Sequence, residues 1–177
     1  MSETLQFKTS LGTVIAVGSS RSLEGVYFSD QRHLPDLSGA PANPDSLLLH
    51  RARKQIEEYL AGRRTRFDLP LALRGTELQQ QVWRALDTIA YGQTLTYSGL
   101  ASAIGRPLAV RAVAQAVGRN PWLIIRPCHR VVGSDGSLRG FAAGLDRKTA
   151  LLALEHRTER EPGGSHPTPG GPRPPAD

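Results

Sequence analysis

Cysteine is nearly missing from this 177-residue chain: Cys128 is the single one. One thiol closes no intramolecular disulfide and builds no multi-thiolate zinc site, so disulfide scaffolds and zinc-finger modules are excluded. Lysine is scarce as well, with Lys8, Lys54 and Lys148 set against 19 arginines. No run of 18 apolar residues occurs, and Met1–Thr9 lacks the apolar core of a signal peptide. A soluble, cytoplasmic protein is therefore expected. Acidic residues are absent between Asp87 and Asp135, a span that carries Arg106, Arg111, Arg119, Arg126 and Arg130. It supplies most of the formal charge of +6. An arginine-rich composition explains such a span as readily as a phosphate-facing surface does, so the span decides nothing alone. No stretch is both strongly amphipathic and basic, which argues against membrane binding.

What is present suggests a mixed α/β (α+β) chain. Leu5 and Phe7 alternate with polar neighbours, Thr13–Val17 is rich in β-branched residues, and Leu23–Phe28 makes a third strand, together a β-meander. After a Pro/Gly loop over 35–45, Leu49, Ala52, Ile56, Tyr59 and Leu60 share one helical face, and Gly62 stops it. A second domain is expected from Gly75, giving boundaries of 1–74 and 75–158. Thr76 and Gln79 have capping-box spacing ahead of the stripe Leu78, Val82, Ala85, Leu86 and Ile89. Two helical patterns, Tyr97–Ile104 and Leu108–Val117, flank Gly105-Arg106-Pro107 and predict a helix-turn-helix. Leu123, Ile124 and Ile125 read as a short strand, residues 133–144 as a flexible loop, and Asp146 to about Arg157 as a last helix. Residues 159–177, dominated by Pro and Gly, are expected to be a disordered tail.

Most lone cysteines are small buried hydrophobes. Cys128, however, is followed at once by His129 and Arg130. A thiol with an ordinary pKa of about 8.5 is mostly protonated at neutral pH, and a neighbouring base or cation raises its thiolate fraction. His129 can be that base. In an extended segment adjacent side chains point apart, so a water bridge is the easier geometry. Glu155 on the last helix is the candidate carboxylate to hold the imidazole.

The run Pro127-Cys128-His129-Arg130-Val131 resembles the active-site signature of the O6-alkylguanine-DNA alkyltransferases, the methylated-DNA–protein-cysteine methyltransferases. Residues 76–155 are similar to that family's C-terminal domain nearly throughout, through Gln81-Val82-Trp83, Thr96-Tyr97, Arg111-Ala112-Val113, Asn120-Pro121 and Leu151 to Glu155. The first 70 residues resemble its smaller, ribonuclease-H-like domain in outline. The resemblance implies DNA repair by stoichiometric, irreversible transfer of the alkyl group from O6-alkylguanine in double-stranded DNA to Cys128, with O4-methylthymine a candidate second substrate. It further implies minor-groove docking, a flipped base, a monomer and no cofactor; members with a zinc site in the first domain need cysteines this chain lacks, so no metal is expected.

Roles follow from the same resemblance. Cys128 is the nucleophile, His129 its base through water, Glu155 the orienter of His129, and Tyr97 a hydrogen-bond donor to the guanine ring. Arg111 fills the gap left by the flipped base, and Ala112, Arg106, Thr96 and Arg119 contact DNA. Asn120 holds the active-site turn, the carbonyls of Cys128 and Val131 accept from the guanine amino group, and Phe141, Ala142 and Ala143 line the pocket. The chain departs from the pattern in two places. Ala143 stands where relatives usually keep a glycine, which predicts poorer handling of bulky adducts, and Arg126 replaces an apolar residue. Three rivals remain at this point. A non-catalytic alkylated-DNA recognition protein carries tryptophan in place of the cysteine, a cysteine hydrolase leaves the basic helix-turn-helix unexplained, and a regulator needs a further cysteine-containing domain.

Overall fold

The computed structural model describes residues 1–160; the expected tail lies, from residue 161 on, outside the described residues. The chain starts with the expected meander. Strands β1 (Glu3–Thr9), β2 (Gly12–Gly18) and β3 (Leu23–Phe28) form an antiparallel sheet in the order β1-β2-β3, with a register shift at Val17/Gly18. Alternation buries Leu5 and Phe7 on one face of β1, whereas β3 is buried almost throughout.

Helix α1 (Leu47–Leu60) starts at Ser46, whose hydroxyl accepts from the Leu49 amide. It lays Leu49, Ala52, Ile56 and Tyr59 against the sheet. Gln55 on the same helix is buried and exchanges two hydrogen bonds with the Asp68 backbone, which draws the return segment 63–71 back along α1.

Helix α2 (Glu77–Leu86) opens with the capping box of Thr76 and Gln79 and stops at Asp87, short of Ile89, the last residue of the expected stripe. Two-residue strands β4 (Leu95–Thr96) and β5 (Val131–Val132) pair in parallel. Between them lie α3 (Tyr97–Ala103) and α4 (Val110–Gly118). The linker of the helix-turn-helix is longer than the three residues expected, because α4 starts at Val110 and leaves Leu108 fully exposed.

The strand expected over 123–125 is a tight turn. Trp122 is pinned to the first half of the chain by a bridge to Val26 and by its indole N–H, which donates to the Leu23 carbonyl at 2.9 Å. The Asn120 side chain ties the Trp122 and Arg126 carbonyls together at 3.2 and 3.0 Å, so the apolar run must curl. Ile124 takes a φ of 72°, a strained conformation for a β-branched residue, and all three apolar side chains plug the core.

Helix α5 (Leu145–Arg160) closes the structure, starting one residue earlier and ending later than expected. The apolar core is continuous from the sheet to the C-terminal helices. Arg147 on α5 reinforces that junction, donating to the Leu11 carbonyl at 2.8 Å and to Asp30 at 2.7 Å. Among the described residues no helix is long and apolar enough to cross a membrane, and no group of His, Cys, Asp and Glu side chains is placed to hold a metal ion.

Candidate active site

The pairing of β4 with β5 brings Tyr97, at the start of α3, alongside the segment that carries Cys128. That segment is one 3₁₀ turn, Cys128–Arg130, and not the extended stretch in which neighbouring side chains point apart. It forms because Asn120 closes the preceding turn and the Cys128 amide donates to the Arg126 carbonyl at 2.8 Å. Cys128 is a free thiol with 3% exposure. Burial pushes its pKa up to about 11, against a hydrogen bond from the Asn120 side chain and the positive charge of Lys148. At rest it is a protonated thiol.

His129 is fully buried and its Nε2 lies 2.7 Å from Oε2 of Glu155. Burial lowers its pKa against the pull of that carboxylate, so the ring is neutral and donates from Nε2. Its Nδ1 has no hydrogen-bond partner among the described residues and presents a free lone pair. Glu155 accepts four further hydrogen bonds, from three residues. Arg130 Nε and the Gly92 amide reach Oε1 at 2.8 and 3.0 Å, Arg130 Nη2 reaches Oε2 at 3.1 Å, and the Tyr59 hydroxyl also donates to Oε2. Burial alone raises a carboxyl pKa, but the hydrogen bonds and charges of His129 and Arg130 bring Glu155 down to about 2.

The arginines of the acid-free span divide into two groups. Arg130 is internal, paired with Glu155 and donating to the Ile89 carbonyl at 2.6 Å. Arg126 pairs with Asp87 at 3.3 Å and lies 4.8 Å over the Trp122 ring, which accounts for a cation at that apolar position. Arg106, Arg111 and Arg119 remain exposed on the helix-turn-helix. The acid-free span thus presents three arginines to solvent, Arg106 also donating to Gln81. Thr96 is the N-cap of α3, and Ala112 is half-buried on α4.

A cleft of about 560 Å³ runs between α4 and the 140–142 segment, walled by Ala112, Arg119, Phe141 and Ala142 among others. Cys128, Asn120, Val131 and Ala143 are not among its walls and are buried. Gly140 and Gly144 take φ of 46° and 93°, whereas Ala143 between them needs no left-handed conformation and carries no backbone penalty. Tyr97 donates to the Arg139 carbonyl at 3.0 Å; burial and then the nearby Cys128 raise its pKa.

Two residues of this cluster escaped sequence reasoning. Lys148 is fully buried on α5, and its ammonium donates to the Val131 and Arg139 carbonyls, both at 2.6 Å. Burial lowers its pKa to about 8 against the attraction of Cys128. Its signal was available, since Lys148, Leu151 and Glu155 share one face of a helix. Tyr59, from α1, had only the look of a core aromatic.

A buried thiol, a neutral imidazole backed by a carboxylate, and an exposed basic helix-turn-helix on the same half of the chain define a cysteine-dependent transferase of the DNA-binding kind. Residues 5–73 match the model for the ribonuclease-like domain of 6-O-methylguanine DNA methyltransferase, and residues 77–157 match that for its DNA binding domain. A methylated-DNA–protein-cysteine methyltransferase of Mycolicibacterium paratuberculosis is 46% identical, covering 83% of this chain and 88% of that protein. The O6-methylguanine methyltransferase structure from Mycobacterium tuberculosis superposes with a TM-score of 0.84 at 40% identity, covering 92% of this chain and 96% of that one. The Mycobacterium tuberculosis protein in complex with DNA gives 0.81 at 39% identity over the same shares. The chain belongs to the 6-O-methylguanine DNA methyltransferase family.

Proposed function

We propose that this protein repairs DNA by direct reversal, moving the alkyl group of O6-alkylguanine in duplex DNA onto Cys128. The observation that carries the reading is the buried thiol whose neighbour His129 offers a free Nδ1 and is backed by Glu155. Both the thiol and the imidazole rest neutral because both are buried. Proton transfer from the thiol to Nδ1, through one water, makes a thiolate and an imidazolium together, and Glu155 stabilises the latter. The thiolate sulfur attacks the alkyl carbon, the S–C bond forms, the C–O6 bond breaks, and the electron pair stays with the guanine oxygen. The product is a thioether, which water does not cleave, so each molecule acts once.

The remaining roles are assigned from placement. Tyr97 stands beside Cys128, and its hydroxyl is a donor for the guanine ring once released from the Arg139 carbonyl. Asn120 holds the turn that presents Cys128. The Val131 carbonyl already takes Lys148 on one lone pair and has a second for the guanine amino group, and the Cys128 carbonyl accepts the Val131 amide in the same way. Phe141, Ala142 and Ala143 form the wall nearest the alkyl group. Arg111 enters the base stack in place of the flipped guanine, at an unstacking cost of a few kcal/mol. Arg106, Arg119, Thr96 and Ala112 meet the backbone. The exposed part of α4 and its C-cap carries few bulky groups besides Arg111, Gln115 and Arg119, which suits the narrow minor groove. We assign the 1–74 and 75–158 boundaries, a monomer, and a cytoplasmic location to the same reading.

The test is a titration of the protein into duplex carrying one O6-methylguanine, followed by digestion to nucleosides. Restored guanine equal to protein added, and never exceeding it, is expected. Repeated turnover, or tight binding with no restored guanine, overturns the proposal.

A further inference from the structure

We propose that Tyr59, on α1, is a positioning residue for alkyl transfer, its hydroxyl fixing the Glu155 carboxylate against the His129 imidazole. The inference rests on the alkyl-transfer reading and extends the site into the first half of the chain, where sequence reasoning placed no functional residue.

Tyr59 is fully buried and lies 96 positions from Glu155. Its hydroxyl donates to Glu155 Oε2, the same oxygen that receives His129 Nε2, and stands 3.3 Å from that nitrogen. Among the described residues it is the one side chain from the first half hydrogen-bonded to either group. Burial, and then the Glu155 charge, raises its pKa, so it is a donor at every pH at which the protein is folded. A phenol taken out of water needs such a partner.

The ring is held as firmly as the hydroxyl. Phe67 packs on it with centroids 5.4 Å apart, Tyr91 meets it edge-on at 6.1 Å, and the His129 ring lies at 6.5 Å. Phe67 sits there because Gln55 clamps Asp68 to α1. The α1 face that packs on the sheet therefore ends in a side chain that reaches the transferring pair.

Two consequences follow for the chemistry. First, a carboxylate has about four lone-pair sites, and the Tyr59 donor helps fill those of Oε2, so the carboxylate does not swing away from His129. Second, spreading the negative charge over these donors keeps Glu155 a weak base. When Nδ1 takes the thiol proton, the Nε2 proton stays on the ring, and the imidazolium remains intact while sulfur attacks.

The experiment compares wild type with Tyr59→Phe, which keeps the ring and removes the O–H, in the full chain. Methyl transfer from O6-methylguanine duplex is expected to slow about tenfold, the equivalent of one hydrogen bond to a charged group. In a Glu155→Gln background the same substitution is expected to cost nothing further, since Tyr59 acts through Glu155. An unchanged rate in the single variant, or equal slowing in both backgrounds, overturns the proposal.

A spectroscopic arm needs neither activity nor a variant. With ring-labelled histidine, the His129 Nε2–H proton of wild type is expected downfield and close in space to the Tyr59 hydroxyl proton. Its absence, or a His129 protonated on Nδ1 instead, overturns the assignment even if Tyr59→Phe fails to fold. Wild-type protein that accepts no methyl group would sink the alkyl-transfer reading alone, and the spectrum would still decide Tyr59.

Discussion

Glu155→Gln is the substitution whose consequences are set most tightly by the structure. The wild-type carboxylate is fully buried, and its pKa drops from an ordinary 4.5 to about 2, as its partners overcome the upward push of burial. A depressed carboxylate pKa stabilises the fold above the unfolded value and loses that contribution as pH falls through the folded one. Here it amounts to about 3 kcal/mol at neutral pH, of which about 2 kcal/mol has gone by pH 3. The glutamine has no charge to lose. Counted from the other side of the same ion pair, Arg130 left buried without a counter-ion sets the total cost at roughly 3–5 kcal/mol. Urea unfolding at pH 7 is expected to show a midpoint about 2 M below wild type. Repeated at pH 3, the gap should shrink by about half, because the wild type falls toward the variant. A gap independent of pH, or a variant as stable as wild type at pH 7, would refute the claim that an ionised Glu155 holds this cluster together.

Three further outcomes follow from individual contacts. Lys148→Met removes the cation facing Cys128 and two donors to carbonyls, so iodoacetamide alkylation of Cys128 should shift to higher pH; an unchanged profile would remove Lys148 from the thiol's electrostatics. Ala143→Gly should raise the ratio of benzyl to methyl transfer, and equal ratios in both proteins would show that the alanine does not limit adduct size. Arg119→Ala should weaken binding to undamaged duplex and reduce the slope of log affinity against log salt by about one, whereas an unchanged slope would place Arg119 away from phosphate.

Much of the architecture was legible because local chemistry and tertiary structure agree there. Alternation marked β1, the spacing of Leu49, Ala52, Ile56 and Tyr59 marked the buried face of α1, and Thr76 with Gln79 marked the start of α2. The 123–125 segment was misread because an apolar run does not distinguish a strand from a buried turn. The deciding forces, the Asn120 clamp and the tether of Trp122 to Leu23, act from outside the run. β4 and β5 have two residues each, too few for any period to show. The charge distribution was undecided for a similar reason. Removing Arg126 and Arg130 from the free basic surface requires knowing their partners, Asp87 and Glu155, which lie 39 and 25 positions distant in sequence.

The candidate site was legible where chemistry is concentrated in neighbouring residues. Cys128, His129 and Arg130 are consecutive, and the structure brings Glu155 and Tyr97 to them. Lys148 and Tyr59 were missed because a lone lysine on a helix and an aromatic in a core stripe each have an ordinary reading. Only the fold reveals that Lys148 points its ammonium at the Val131 and Arg139 carbonyls and Tyr59 its hydroxyl at Glu155.

The Sγ of Cys128 is the atom that receives the alkyl group in this mechanism, and intact mass measures this directly. After incubation with duplex containing O6-methylguanine, the protein should gain one methyl, about 14 Da, saturating at one equivalent and absent in Cys128→Ala. No gain in mass, or a gain that survives Cys128→Ala, would contradict it.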